Sequence, residues 1–178
     1  MSTEEQILAA AAEILERDGV AALTTRAVCQ AAGVTAPTLY HHFGDKDGLS
    51  RALVARGVTD FLAHKRSNRE TADPLADLRR GWDGWLAFAN ERPNLFRLMV
   101  DHSSGDPSTS REAYQIMRST VERLAQARRL TTDVETAART IWAASSGVLM
   151  LFMQGQSPKD IKISSDLLFD GLVAKLLK

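Results

Sequence analysis

A single cysteine, Cys29, stands in 178 residues. That excludes an internal disulfide and fits a reducing compartment, so a cytoplasmic location is expected. Cys29 lies among apolar neighbours and reads as a small core side chain, not a redox centre. Also missing is any run approaching the ~20 apolar residues of a membrane span, and no signal-peptide pattern opens the chain. Charge of one sign has no excess, because 22 Lys+Arg balance 22 Asp+Glu; total charge therefore selects no partner. There is no alternating stretch long enough for a strand, no internal repeat and no low-complexity tract. What remains, at 44% hydrophobic and 25% charged, is a globular chain of one or two domains with a sizeable core.

The apolar residues that are present recur at helical spacing throughout. Ile7, Leu8, Ala11, Ile14 and Leu15 mark a first helix, and Ser2 or Thr3 ahead of Glu5 or Gln6 reads as a capping box. A helix from Asp45 carries Leu49, Leu53, Val54, Val58, Phe61 and Leu62 before the polar stretch SNRETAD. Asp73-Pro74 starts another, with Leu75, Leu78, Trp82, Trp85, Leu86 and Ala89 inward. Pro93 starts a short sixth helix, and Ser103 to Ser110 reads as a loop. A seventh holds Ala113, Ile116, Met117, Val121 and Leu124. An eighth, capped near Asp133, holds Val134, Ala137, Ile141, Val148, Leu149 and Phe152. GQSP reads as a break, and a ninth helix is expected from about Ser164. The fold class is all-α, with about nine helices.

Between Leu23 and Leu49 the punctuation is dense. Thr24 or Thr25 caps one short helix, and Gly33 closes it where a left-handed residue is wanted. Thr35 caps the next, Pro37 falls in its first turn and Gly44 stops it. Two helices joined by a tight glycine-containing turn form a helix-turn-helix, whose second helix is able to lie in a DNA major groove. Leu39 and Phe43 share the inward face with Val28, Cys29, Ala32 and Val34. Thr35, Thr38, Tyr40, His41 and His42 are left outside, where hydroxyls and imidazoles reach phosphates and base edges. Pro37 and the Thr38 methyl suit a thymine methyl, and Lys46 at the next helix start suits a phosphate. A plain helical hairpin with amphipathic surface residues is the competing reading of the same spacing.

Residues 3 to 53 resemble the N-terminal domain of the TetR (tetracycline repressor) family of transcriptional regulators. The resemblance rests on ILAAAAEILERDG, LTTRAV, AAGVTAPTLYHHF and the DK before Leu49. It implies a three-helix DNA-binding domain at 1–46 and an effector-binding and dimerisation domain at 47–178. Position by position, it implies that Thr25, Tyr40 and Lys46 contact phosphates. Thr35, Ala36, Pro37, Thr38 and His41 would face the bases, with Arg26 near the groove edge. Two features depart from it. Gly48 sits where a better helix former is usual, at a cost of about 0.5–1 kcal/mol relative to alanine. Residues 1–50 also hold three basic and seven acidic residues, so few basic phosphate contacts and a shallow salt dependence are expected.

The remaining two thirds contain all three tryptophans. Helical bundles build ligand sites between their helices from apolar walls and a few polar groups, although such residues are also ordinary core. The family resemblance implies an effector pocket, for which Trp82, Trp85, Phe96, Met99, Met117, Trp142 and Met150 are the candidates. A small apolar or aromatic effector is the expected occupant. Ala143 to Gly147 on the eighth helix and Gly171 on the ninth permit close approach of a neighbour; the resemblance implies a homodimer through these two helices. The resemblance implies repression as the usual sense, with activation left open, and a homodimer implies a near-palindromic operator; double-stranded DNA and the effector are the expected partners. No metal or cofactor is expected. Catalysis has weak support: among His41, His42, His64 and His102, the first two lack metal-ligand spacing, the Asp101-His102 pair near a loop reads as a surface feature or helix-end cap, and Cys29 has no evident partner. The acidic first domain keeps open a helical carrier or adaptor that does not bind DNA.

Overall fold

The structure, a computed structural model, describes residues 1–67, 70–103 and 108–178. Among the described residues it is all-α. The helices are α1 (Thr3–Asp18), α2 (Thr25–Ala32), α3 (Ala36–Phe43), α4 (Lys46–Ser67) and α5 (Pro74–Glu91). They continue with α6 (Pro93–Ser103), α7 (Ser108–Gln126), α8 (Val134–Met153) and α9 (Pro158–Leu176). A single 3-10 turn, Val20–Ala22, separates α1 from α2. The only β-type pairing among the described residues is one isolated antiparallel bridge between Leu130 and Leu177.

Local chemistry explains the helix ends. At α1 both halves of a capping box are made: Glu5 N–H donates to Ser2 Oγ at 3.2 Å, and Ser2 N–H to the Glu5 carboxylate at 2.7 Å. Asp133 caps α8 through the Thr136 N–H at 2.9 Å. Two boundaries differ from expectation. The ninth helix begins at Pro158, not near Ser164, because Ser157 caps it and Pro158 takes the first-turn position where no N–H is needed. The expected loop from Ser103 to Ser110 is helical at both ends, where Ser103 closes α6 and Ser108–Ser110 open α7. Residues 104–107 of it lie outside the described ones.

The chain divides into two compact units, and the division falls within α4. The first runs from Met1 to Phe61 and includes α6; the second holds the end of α4, α5, α7, α8 and α9. In the first, Ile7, Leu8, Ala11 and Ile14 of α1 pack with Leu23, Val28, Ala32, Leu39, Leu49 and Leu53. Cys29, Val34 and Phe43 are half-buried against that core. In the second, α8 packs on α7 and α9, with Val121, Leu124, Ala137, Ile141, Val148, Phe152, Ile161 and Phe169 buried. The Trp82 indole donates to the buried Ser165 hydroxyl at 2.8 Å and its ring lies 5.4 Å from Phe169, which joins α5 to α9.

Candidate nucleic-acid interface

The geometry of the first unit's outer face is set by short-range bonds at the ends of α2 and α3. Thr24 Oγ1 accepts the Ala27 N–H at 3.2 Å and caps α2. Gly33, at φ 65° and ψ 31°, ends it in the left-handed conformation that glycine adopts without a Cβ penalty. Thr35 then caps α3 through the Thr38 N–H, and the two threonine hydroxyls lie 2.9 Å apart. With Leu39 fully buried on the inward side, the rotation of α3 is fixed.

That rotation leaves Thr35, Pro37, Tyr40, His41 and His42 exposed, with Ala36 and Thr38 half-buried. Tyr40 is 46% exposed, and its hydroxyl donates to Thr25 Oγ1 at 3.4 Å. Thr25 itself is half-buried; Arg26 and Lys46 are exposed. All nine residues expected at DNA therefore lie in the first unit, on α2, α3, the turn before α3 and the start of α4. The α3–α4 turn is tight: Asp45 N–H donates to the Phe43 carbonyl at 2.9 Å, and Asp45 Oδ1 accepts the Gly48 N–H at 2.6 Å. A Cβ placed on Gly48 would run into the Phe43 carbonyl oxygen. The glycine that sequence alone counts as a weak helix former is therefore required by the turn.

The seven candidate effector residues are distributed over both units. Phe96 and Met99 lie on α6 in the first unit, where the Phe96 ring stands 6.2 Å from Phe61. In the second, Trp82 and Trp85 are buried on α5, Met117 is half-buried on α7, and Trp142 meets the Tyr114 ring edge-on at 5.5 Å. Met150 is 59% exposed. A wholly apolar cleft of about 10 Å³ lies among Leu78, Leu124, Leu130, Ile141, Phe169, Leu172, Val173, Leu176 and Leu177. None of the seven lines it, and it has room for roughly one water. His102 bonds its own helix through Nδ1 and the Leu98 carbonyl at 2.9 Å, so the Asp101-His102 neighbours form no acid–base pair by that nitrogen. No group of three or more His, Cys, Asp or Glu suited to a metal occurs among the described residues. No described helix is long and apolar enough to cross a membrane.

Sequence reasoning passed over one feature of the first unit. Glu16, on the last turn of α1, accepts the backbone N–H groups of Asn94 and Leu95, and Asn94 in turn serves the carbonyls of Leu15 and Glu16. These residues are far apart in the chain, and no local signal links them.

A family model for bacterial regulatory proteins of the tetR family matches residues 7–53. A second, for tetracyclin repressor-like C-terminal domains, matches residues 78–176. The HTH-type transcriptional repressor Rv1474c of Mycobacterium tuberculosis is 30% identical over 173 residues, 96% of this chain and 80% of its own length. The nucleoid occlusion factor SlmA of Vibrio vulnificus is 35% identical over 106 residues, 56% of this chain. The chain spans about half, 52%, of that relative's length. Among solved structures, a TetR transcription regulator from Haloarcula marismortui matches with a TM-score of 0.83 at 18% identity, covering 99% of this chain and 98% of its own. The TetR family regulator PfmR of Thermus thermophilus gives 0.70 at 20% identity, covering 95% and 97%. At these identities the structural likeness speaks for the fold alone.

Proposed function

Because the chain belongs to the TetR family of bacterial regulatory proteins, we propose that it is a ligand-responsive, DNA-binding transcriptional repressor of the cytoplasm. As a homodimer it binds a near-palindromic operator, and a small apolar or aromatic effector releases it. The observation that carries this reading is the face of α3: capped at its start, anchored by Leu39, and exposed at Thr35, Pro37, Tyr40 and His41. Thr25, Tyr40 and Lys46 serve phosphates. Thr35, Ala36, Pro37, Thr38 and His41 serve base edges, and Arg26 lies at the groove edge.

Pairing of two copies is supported by an unpartnered stripe on the last two helices. Ala143, Gly147 and Met150 of α8 and Ile163, Leu167, Gly171 and Ala174 of α9 are exposed at helical spacing. Met150 fits this stripe better than a pocket wall. A two-fold dimer sets two recognition helices about 34–36 Å apart, one turn of DNA. Effector binding belongs to the second unit, with Trp82, Trp85, Met117 and Trp142 as its aromatic and thioether groups. An effector with differential affinity for two arrangements of the paired DNA-binding domains shifts their populations, and α4, shared by both units, transmits the change.

Selection from random duplex DNA with the purified protein tests this directly. A near-palindrome should be enriched, and Tyr40→Ala or Thr38→Ala should abolish its protection while the helical circular dichroism stays unchanged. Enrichment of no motif, or one insensitive to both substitutions, favours instead a helical carrier or adaptor that no longer binds DNA.

A further inference from the structure

We propose that Glu16 and Asn94 are positioning residues for DNA binding, a reciprocal clamp by which α6 holds α1 and, through it, the recognition helix. The carbonyls at the end of one helix and the amides at the start of another are the backbone groups a helix leaves free. Here the Glu16 carboxylate takes the first amides of α6, and Asn94 takes the Glu16 carbonyl; the Leu15 carbonyl, which Asn94 also meets, already accepts the Gly19 N–H at 2.9 Å. Asn94 Nδ2 donates to the Leu15 carbonyl at 3.0 Å and the Glu16 carbonyl at 3.1 Å. The Glu16 carboxylate accepts the Leu95 N–H at 2.8 Å and the Asn94 N–H at 3.2 Å. A carboxylate at the N-terminus of α6 also meets the positive end of its dipole.

Further contacts tie α6 to α4 within the same unit. Arg92 pairs with Asp60 at 3.0 Å, and a Cβ at Gly57 would stand 2.8 Å from Met99 Sδ and 3.1 Å from Leu95 Cδ1. The glycine therefore permits the close approach of the two helices. Neither Glu16 nor Asn94 belongs to the face assigned to DNA. Yet α1 supplies Ile7, Leu8, Ala11 and Ile14 to the core that also holds Val28, Ala32 and Leu39, so the placement of α1 sets the placement of α3. The DNA arm of this inference rests on the regulator reading; the mechanical arm does not.

Two measurements on the full chain decide it: amide hydrogen exchange, and affinity for a duplex selected by the parent protein, read across a salt series well below the unfolding temperature. Asn94→Ala and Glu16→Ala should each raise exchange several-fold in α2 and α3, not only at the capped turns. Each should weaken binding about three- to tenfold, the scale of a lost hydrogen bond. The salt slope should be unchanged, since no phosphate contact is lost. The double variant should be no worse than either single one. Glu16→Gln, which keeps one acceptor oxygen but turns an amide NH2 toward the other backbone N–H and loses the charge at the α6 N-terminus, should fall between the parent and Glu16→Ala. Exchange changes confined to the last turn of α1 and first turn of α6, additive losses in the double variant, or parental affinity in Asn94→Ala would each overturn the proposal. Should Asn94→Ala fail to fold, Asn94→Ser, whose hydroxyl serves one carbonyl at most, takes its place in both measurements. If the parent selects no duplex, the regulator reading falls and the exchange pattern still decides the clamp.

Discussion

Gly48 shows how a residue's meaning changes once its surroundings are known. Intrinsic propensity makes Gly48→Ala stabilising by about 0.5–1 kcal/mol. The Phe43 carbonyl in the path of the new Cβ reverses the sign. Crowding of this kind typically costs about 1–3 kcal/mol, and urea unfolding of Gly48→Ala should show a loss on that scale; a gain would disprove the tight turn. Asp77 carries a second residue-scale prediction. Its side chain is only 8% exposed. Burial alone would raise its pKa. The Thr71 hydroxyl at 2.7 Å and amide at 2.9 Å, with Arg123 at 2.6 Å and Arg80, outweigh that and hold the carboxyl well below the usual range. A depressed pKa contributes stability that is fully present above the unfolded value of ~3.9 and is lost as pH falls below it. Asp77→Asn should therefore cost on the order of 1.5–3 kcal/mol at neutral pH. The gap to the parent should narrow on acidification below about pH 4. A gap that stays constant from pH 7 to pH 3 would assign the loss to shape, not charge.

At the scale of elements, what the sequence disclosed follows the range of the physics involved. The ends of α2 and α3 were legible because Thr24, Gly33, Thr35, Pro37 and Gly44 act on their immediate neighbours. The start of α9 was misplaced because a proline is equally a helix stop and a first-turn residue, and only the Ser157 cap decides between them. The Glu16–Asn94 clamp and the Trp82–Ser165 bond were illegible, since each joins residues distant in the chain. That second bond makes a prediction for α5 and α9. Trp82→Phe keeps most of the ring contact with Phe169 but removes the only donor of the indole, and should cost about 1 kcal/mol; no loss would mean the bond is dispensable. The DNA-binding elements make another. Arg17 is paired with Asp18 at 2.6 Å, which leaves Arg26 and Lys46 as the basic side chains of residues 1–50 available to phosphates. With Lys46 at a phosphate and Arg26 at the groove edge, at most two basic contacts per subunit and four per dimer arise, hence a log–log salt slope no steeper than about −4. A slope steeper than about −7 would require basic contacts from elsewhere in the chain.

For the whole molecule, the decisive question is what covers α8 and α9. Leu167 is 70% exposed, Met150 59% and Ile163 50%. Scattered apolar residues need no explanation, but here Met150 recurs at helical spacing with exposed Ala143 and Gly147 on α8, and Ile163 and Leu167 with exposed Gly171 and Ala174 on α9, where small side chains admit a neighbouring backbone. Two such helices from each of two copies would form a four-helix interface, and two-fold symmetry would place each stripe against its own counterpart. A charge there meets its symmetry mate in an apolar seam, where desolvation and like-charge repulsion act together. Leu167→Glu should accordingly give a monomer by light scattering at micromolar concentration, with its helical content retained because the side chain contributes little to the core of one copy. Operator binding should fall by at least tenfold, since one subunit then engages a single half-site. A Leu167→Glu protein that remains dimeric and binds DNA as the parent does would move the interface off these helices.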